Sequence, residues 1–457
     1  STFSILVQYA PIRIDHHAPQ IIFGAAALWA LVSTGHHDGR RGLIAGVALA
    51  CWLQISVEGL PYAVVAGGIF ALHHLLRKDR WRDLRAYMLA LPIAATVLLF
   101  GTRYPTDAIL PWCDSFSPAY LVPLWLTSLL LLAAHRFIPN ATPAYRALPL
   151  IIAGAAGAAT FILRSRDCLA GPFETLNPIV YELWYLAVRE GLPVSMQKSD
   201  FQAIILLPAL LGLIGTLIAM WKAKNPAERE RWLNLVIMQA VAFAVSITIM
   251  RAMAFSHLTA LPGSAVLIAT MIASAQRIGL MPVRIIATAA CIVATPIGAS
   301  AIVTSLLDSS EAGRNTSAAA NASVPDRFRC TTQETLRGLN ALPGRLFFTP
   351  LDIGAHVLVY TRKSVVGTGH HRNVAGMTQV LKGLTAPADK AQSIVAESGA
   401  DYLAFCGREN EVERYSRLYP RSLIADLLKD KPPAWLQPVP MRPGESIVVY
   451  RVVKPAN

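Results

Sequence analysis

Charged residues are scarce in this chain of 457 residues, where they make up only 15% of the total. Soluble proteins usually carry about 25%. Together with a mean hydropathy of +0.44, this shortage excludes an ordinary soluble protein and indicates an integral membrane protein. The formal net charge is +13, but Lys and Arg cluster in short loops between apolar runs, as in cytoplasmic loops of membrane proteins. We therefore expect no nucleic-acid partner.

The chain also lacks an initiator methionine, and it has neither the basic start nor the small-residue cleavage site of a signal peptide. The sequence contains no internal repeat and no phosphate-binding loop of the form G-x-x-x-x-G-K-[ST]. We expect the chain to be the later part of a longer protein. Catalytic groups in an earlier segment would then lie outside it.

Apolar runs of membrane-spanning length dominate the first 306 residues. A spanning helix needs about 20 mostly apolar residues. On that basis the sequence predicts about ten spans, near 19-34, 42-57, 61-76, 86-101, 118-134, 148-163, 202-221, 232-250, 258-275 and 285-306.

The distribution of Lys and Arg predicts the orientation of these spans. Basic residues concentrate in every second connection, at 35-41, 77-85, 135-147, 222-231 and 276-284. The positive-inside rule places these loops in the cytoplasm. The segment before Ile21, the other connections and the tail after Leu306 are then predicted to lie outside.

The C-terminal part of the chain differs in composition. Residues 307-324 are rich in Ser, Ala, Asn and Gly, which is typical of a linker. Residues 325-457 read as a soluble α/β domain, with strands predicted at 345-349, 356-360, 402-406 and 446-450, and helices around 331-341, 374-384, 387-398 and 409-427. The predicted fold class is a multispanning α-helical membrane protein, over residues 1-306, with a C-terminal soluble α/β domain.

Four of the six cysteines fall in polar stretches that the predicted topology places outside. They are Cys113, Cys168, Cys330 and Cys406. In an oxidising compartment, Cys113 with Cys168 and Cys330 with Cys406 are candidate disulfides, although the sequence does not fix the connectivity.

A short polar segment before the first span concentrates groups that carry chemistry. It contains Arg13, Asp15, His16, His17 and Gln20, of which Arg13, His17 and Gln20 are candidate substrate contacts. A carboxylate with imidazoles suits a divalent cation such as Mn²⁺, Zn²⁺ or Mg²⁺. Since adjacent histidines cannot easily share one face of a helix, at most one of them is expected to join Asp15 at a single ion. The alternative is a polar helix start, with Asp15 as its cap and the histidines at the membrane interface.

Two further ionisable residues lie in or beside apolar runs on the predicted outer side. Glu58 occupies a turn too short to reach far into water, where a carboxylate is costly unless it is used. Arg251, at the outer end of a span, is suited to grip a lipid phosphate or pyrophosphate. The alternatives are an ordinary turn carboxylate and an arginine that extends to the lipid headgroups.

Four other residues, in two places, are candidates for substrate contacts. Arg103 lies in one of two larger outer loops, which bear Cys113 and Cys168. These loops either shape a substrate groove or have a purely structural role, with a disulfide joining them. In the soluble domain, His370, His371 and Arg372 follow Gly369 and suit an anion. They close the predicted site if that domain folds back over the membrane face, and they are otherwise a polar loop of an accessory domain.

The Arg-x-Asp-His-His-x-x-Gln stretch at Arg13 to Gln20, the many spans that follow and the mixed α/β tail resemble the GT-C superfamily of integral membrane glycosyltransferases. The chain is most similar to the oligosaccharyltransferase-like branch, in its uncharacterised Gram-negative bacterial members. The resemblance implies that Asp15, with His16 or His17 and Glu58, acts in catalysis or holds a divalent ion, Mn²⁺ or Mg²⁺. It also implies that Arg251 corresponds to the arginine that binds pyrophosphate.

This resemblance implies a protein of the bacterial inner membrane with a periplasmic C-terminal domain. Its activity would be transfer of a sugar or oligosaccharide from a polyprenyl-phosphate or diphosphate carrier to a periplasmic acceptor. The expected partners are this lipid-linked donor and membrane lipid. The Trp-Trp-Asp-Tyr-Gly motif of the family is absent, so we do not predict protein N-glycosylation. The alternatives are a transporter or flippase of a lipid-linked envelope component, and an assembly subunit.

Overall fold

The computed structural model describes residues 3–10, 16–33, 38–139, 141–171, 173, 176–308, 332–407, 409–441 and 447–453. The chain divides into two compact units, Ser1–Glu174 with Glu190–Arg314, and Thr175–Arg189 with Asn315–Asn457. Residues 309–331, which include most of the predicted linker, lie outside the described residues. The predicted domain boundaries therefore stay a prediction.

The first unit is helical. Its helices are α1 (Phe3–Gln8), α2 (His17–Val32), α3 (Arg40–Ile55), α4 (Leu60–Leu76), α5 (Trp81–Thr102), α6 (Pro105–Ala108), α7 (Pro118–Phe137) and α8 (Pro143–Arg164), followed after α9 (Pro178–Leu183, of the second unit) by α10 (Ser199–Lys222), α11 (Pro226–Thr248), α12 (Met253–Ala275), α13 (Met281–Ala290) and α14 (Pro296–Asp308). Many begin with a proline in the first turn, where its missing N–H is not needed.

Seven segments among the described residues are long and apolar enough to cross a membrane. They are Val57–Leu76, Lys78–Thr102, Pro118–Phe137, Pro143–Arg164, Phe201–Lys222, Pro226–Thr248 and Met250–Ala275. They confirm seven of the predicted spans. The predicted spans 19-34 and 42-57 correspond to the shorter helices α2 and α3, of 16 residues each. The predicted span 285-306 is interrupted by a 3₁₀ turn, Cys291–Ala294, between α13 and α14.

Close packing of α10 against α12 depends on glycine. A Cβ atom on Gly215 would lie 1.8 Å from the carbonyl oxygen of Gly263. Small residues at such a crossing let membrane helices approach until their backbones touch. This contact fixes the position of α12 and of the 3₁₀ turn Met250–Ala252 before it.

The second unit contains a five-stranded sheet with the strand order β2-β1-β3-β5-β4. The strands are β1 (Leu346–Phe348), β2 (Ser364–Val365), β3 (Tyr402–Cys406), β4 (Leu436–Val439) and β5 (Ile447–Val452). β1 pairs in parallel with β2 and β3, whereas β5 pairs antiparallel with β3 and β4. Leu403 and Phe405 enter one apolar cluster and Ala404 and Cys406 another, so β3 is buried on both faces. The α/β class is confirmed.

One predicted strand of this unit is wrong. Residues 356–360 belong to the helix Leu351–Tyr360. The carboxylate of Glu411 accepts hydrogen bonds from the backbone N–H groups of Leu351, at 3.0 Å, and Asp352, at 2.8 Å. This distant side chain satisfies donors that a helix start leaves open, a contact that the local sequence does not reveal.

Candidate functional site

Three chain turns of the first unit meet around a small cavity. They are the start of α2, the 3₁₀ turn Val57–Gly59 before α4, and the 3₁₀ turn Met250–Ala252 before α12. The cavity has a volume of about 20 Å³, roughly the space of one water molecule. Its lining includes His17, Gln20, Trp52, Glu58, Tyr62, Arg251 and Phe255.

Glu58 and Arg251 form an ion pair in this cavity, from Arg251 Nη2 to Glu58 Oε1. Their side chains are 15% and 23% exposed, so the pair is largely shielded from water. Ser56 Oγ accepts a hydrogen bond from the N–H of Glu58 at 3.3 Å and caps the turn that carries it. The Nε of Arg251 reaches no hydrogen-bond partner among the described residues. The Nε–H of the guanidinium is thus a buried donor without a described acceptor, which a ligand oxygen could satisfy.

Three aromatic rings form one wall of the cavity. The ring centroids are 4.9 Å apart for Trp52 and Tyr62, 4.7 Å for Trp52 and Phe255, and 4.6 Å for Tyr62 and Phe255. Trp52 and Tyr62 are 2% and 1% exposed. Within the part of the chain that the structure describes, the indole N–H and the phenolic hydroxyl have no hydrogen-bond partner. A buried polar group without a partner costs about 1–3 kcal/mol, so these atoms beside an ion pair make the cavity a candidate binding site.

Glycine allows α2 to pack directly on this wall. A Cβ atom on Gly24 would lie 2.5 Å from Phe255 Cε2 and 2.6 Å from Trp52 Cζ3. Any larger side chain would push the rings away. The close contact keeps α2, and hence His17 and Gln20, next to the ion pair.

The polar segment before α2 is described only from His16 onward. His17 and Gln20 are each 5% exposed and line the cavity. The His16 ring lies against the His17 ring in a tilted arrangement, with centroids 4.2 Å apart, but His16 is exposed and is not a lining residue. Arg13 and Asp15 lie outside the described residues, so their predicted roles stay predictions.

The fit to a divalent metal rests on few donors. His17 and Glu58 line the same cavity, and Mg²⁺ commonly takes one or two protein carboxylates, with water and substrate phosphate completing its shell. The described residues contain no group of three or more His, Cys, Asp and Glu side chains that would hold a metal. They do not by themselves make a metal centre, and Asp15 is the predicted ligand that would add a carboxylate.

Two other predicted substrate contacts lie elsewhere. Arg103 belongs to the first unit but is not among the lining residues. Its Nη1 is 3.3 Å from Ser115 Oγ and 3.8 Å from Asp107 Oδ2, so it is held within its own loop. His370, His371 and Arg372 belong to the second unit. The two imidazole rings stack 5.0 Å apart, before the helix Val374–Thr385.

The two predicted disulfides have different outcomes. Cys113 and Cys168 are joined, which confirms the first pair and links the loop after α5 to the 3₁₀ turn after α8. Cys406 is disulfide-bonded, whereas Cys330 lies outside the described residues, so this second pairing stays a prediction. Cys51 and Cys291 are free thiols.

The sequence interpretation missed the aromatic wall, although a signal was present. Tyr62 follows Glu58 by four residues and Phe255 follows Arg251 by four. Residues four apart lie on the same face of a helix. The spacing from an ionisable residue at the start of a span could therefore have placed Tyr62 and Phe255 at the site. Nothing in the sequence around Trp52 relates it to Glu58 or to Arg251.

No protein-family model and no curated protein matches this sequence. The fold does match solved structures. One is the archaeal oligosaccharyltransferase AglB from Archaeoglobus fulgidus in complex with an inhibitory peptide and a dolichol-phosphate, with a TM-score of 0.61 and 13% identity over 95% of this chain and 56% of that one. Another is the Archaeoglobus fulgidus oligosaccharyltransferase tethered with an acceptor peptide containing the NVT sequon, with a TM-score of 0.52 and 12% identity over 97% of this chain and 56% of that one.

The chain spans about half the length of these structures. At such low identity the likeness concerns the fold. The chain therefore has the oligosaccharyltransferase-like fold, and the predicted resemblance is confirmed at that level. With its seven membrane-length helices, it is a multi-pass membrane protein.

Proposed function

We propose that this chain is a GT-C type glycosyltransferase that moves a sugar or oligosaccharide from a polyprenyl-phosphate or diphosphate carrier to an acceptor on the periplasmic face of the bacterial inner membrane. The observation that carries the proposal is the shielded Glu58–Arg251 pair, whose guanidinium keeps a buried Nε–H donor without a described acceptor. A cationic fork at the end of membrane helices suits a phosphate whose lipid chain remains in the bilayer.

In this proposal Arg251 binds the phosphate of the donor. Its Nη2 stays on Glu58, while the Nε–H donates to a phosphate oxygen. Charge that develops on the leaving phosphate is then stabilised by a donor that is already in place. Such a donor lowers the activation barrier without any reorganisation during the reaction. Glu58 acts as a positioning residue, because it holds the guanidinium and partly neutralises it before the donor arrives.

His17 is our candidate for the proton acceptor from the incoming hydroxyl group, with His16 as the second imidazole. A neutral imidazole carries a nitrogen lone pair that can accept this proton. Gln20 and the hydroxyl of Tyr62 would contact one oxygen atom of the donor, because both present polar atoms without a described partner at the cavity. The cavity has the space of one water molecule, so the sugar itself would lie outside it. Asp15 completes this set from the adjoining segment.

A divalent cation, Mn²⁺ or Mg²⁺, belongs to the proposal as an added component. Asp15 and Glu58 would hold it together with His17, in which case His16 takes the role of proton acceptor. The ion would neutralise phosphate charge, and no step above depends on it. Arg103 and the His370, His371 and Arg372 group remain candidate donor contacts. The solved AglB complex contains a dolichol-phosphate, which supports a lipid-linked donor for a chain of the same fold.

The test is an assay of the purified full-length protein with a panel of polyprenyl-linked sugars, with and without EDTA. Release of the lipid phosphate together with appearance of a glycosylated acceptor supports the proposal. Loss of release in EDTA, restored by Mn²⁺ or Mg²⁺, supports the metal. Movement of an intact lipid-linked sugar across vesicles without cleavage would replace the proposal with transport.

A further inference from the structure

An apolar groove of about 430 Å³ runs along α4 in the first unit, between α4, α5, α7 and α8. From Leu60 at one end to Ala71 at the other it covers about 16 Å of helix, at 1.5 Å per residue. Val64, Gly68 and Gly154 line it and are exposed. The groove therefore opens on the surface that these spans present to lipid.

The end of the groove remote from Glu58 carries polar groups on all four helices. Its last lining residues are Ala71, Leu84, Leu131 and Leu150. Three or four residues further toward that end lie His74, Trp81, His135 and Arg146, which places each of them one helical turn beyond the groove on the same face. The His74 ring centroid is 5.1 Å from Trp81 and 5.4 Å from His135, and Trp81 stacks on His135 at 3.4 Å.

Arg146 differs from the other buried arginines at this end. Arg41 has Asp83 at 3.9 Å, and Arg80 has Glu230 at 3.2 Å. Arg146 is 7% exposed, yet it forms no ion pair with any described carboxylate, and its Nε has no described partner. A buried guanidinium without an anion is costly, so an anion from outside the protein is needed here.

His74 supplies an independent sign of a ligand. It is 1% exposed, and its Nδ1 reaches no hydrogen-bond partner in the described part of the chain. An imidazole nitrogen and a guanidinium next to a tryptophan at a membrane interface fit a phosphate. The loop 135-147 is one that the charge distribution predicts to be cytoplasmic, where anionic lipids are enriched.

We propose that this groove binds an anionic phospholipid of the phosphatidylglycerol class. Its phosphate sits on Arg146, His74 and His135, and an acyl chain fills the groove. The polyprenyl carrier is the less suitable occupant, because its phosphate is proposed to lie at Glu58 and Arg251. Glu58 is at the opposite end of α4, about 24 Å from His74 at 1.5 Å per residue. The inference is independent of the proposed function.

The test is native mass spectrometry of the delipidated full-length protein after addition of phosphatidylglycerol in detergent. Arg146→Gln is expected to reduce bound phosphatidylglycerol about tenfold or more, since the phosphate would lose a charge-assisted hydrogen-bond donor. The matched control is Arg136→Gln, an exposed arginine on the same loop side of α7, which should bind as the unaltered protein does.

Binding of the acyl chain in the groove is tested by variants that leave Arg146 and the two histidines unchanged. Gly68→Leu and Gly154→Leu place a side chain in open space, since no atom lies within 4 Å of an added Cβ, and each should displace the lipid. Gly101→Leu, equally open but not part of the lining, is the control.

Three results would overturn the proposal. One is retention of phosphatidylglycerol by Arg146→Gln and by both groove variants. The second is equal binding of phosphatidylcholine under the same conditions, or binding of inorganic phosphate alone that excludes the lipid. The third is one-for-one displacement by a polyprenyl phosphate, which would assign the groove to the carrier.

Discussion

Glu58 and Arg251 come from two different helical hairpins and meet as an ion pair in one cavity. Each occupies a 3₁₀ turn at the start of a span, with Glu58 before α4 and Arg251 before α12. Each is followed one turn later by a ring of the same aromatic wall, Tyr62 or Phe255. The pair therefore joins the two hairpins at the point where the candidate site forms.

Because the pair is mostly buried, removal of either partner should leave an uncompensated charge. We expect Glu58→Gln and Arg251→Gln each to lower the free energy of unfolding by about 1–3 kcal/mol, somewhat less than for a fully buried pair. The double variant should lose less than the sum of the two. Thermal unfolding of all four proteins measures this, and additive losses would show that the two side chains do not interact.

Gly24 provides a test of the packing behind the site. Gly24→Ala should destabilise the protein by about 1–3 kcal/mol, because the added Cβ overlaps the rings of Phe255 and Trp52. Gly68→Ala is the matched control, since its Cβ meets nothing within 4 Å. The comparison is the difference in unfolding temperature. Equal temperatures for the two variants would contradict the close approach of α2 to the aromatic wall.

The Cys113–Cys168 disulfide closes a long loop, with a sequence separation of 55 residues. Its removal in Cys113→Ser/Cys168→Ser should cost about 4 kcal/mol by loop-closure entropy. Unfolding temperatures of the oxidised proteins measure the loss, and Cys51→Ser, which removes a free thiol, is the control. An unchanged unfolding temperature in the double variant would mean that the bond does not form or does not constrain the unfolded chain.

Stability of the second unit should depend on pH through three facing carboxyl groups. Burial raises the pKa of Glu409 to about 8, and the charges of Glu411 and Asp352 add to the rise. Burial also raises the pKa of Glu411 to about 7, with Asp352 again contributing. Between about pH 4.5 and 8 the folded state keeps protons that the unfolded state has released, so the free energy of unfolding falls as pH rises.

Hydrogen exchange of the helix Asn410–Leu418 in the full-length protein measures this dependence, with rates corrected for the intrinsic effect of pH. Protection should decrease from pH 5 to pH 8 in the unaltered protein and change less in Glu409→Gln. Glu413→Gln, an exposed position of the same helix, should behave as the unaltered protein does. Protection that increases toward pH 8 would refute the assignment.

Much of the fold could be predicted from the sequence because it depends on local signals. Apolar runs of membrane length mark seven spans, and the buried run Tyr402–Cys406 marks the central strand. Residues 356–360 are predicted as a strand because Val357, Val359 and Tyr360 favour strands, whereas Glu411 caps the start of the helix that forms instead. That contact joins residues far apart in the chain, and no local pattern encodes it.

The candidate site was predicted in part. Glu58 and Arg251 were identified separately, by the cost of placing a charge in an apolar run. Glu58 was predicted to be a metal ligand or base, and Arg251 to bind a phosphate group. Their ion pair depends on how the two hairpins pack. Trp52 was missed because a tryptophan inside an apolar helix looks like any other core residue until its neighbours in space are known.

The central claim is that Arg251 binds the phosphate of a lipid-linked sugar donor. The most direct measurement is the rate of lipid-phosphate release by the unaltered full-length protein, by Arg251→Gln and by Arg164→Gln, an exposed arginine at the corresponding end of α8. The account predicts a loss of about 100-fold or more for Arg251→Gln, the scale of losing one preorganised donor, and unchanged release for Arg164→Gln. Release by Arg251→Gln at the rate of the unaltered protein, with Arg251→Gln folded, would contradict it.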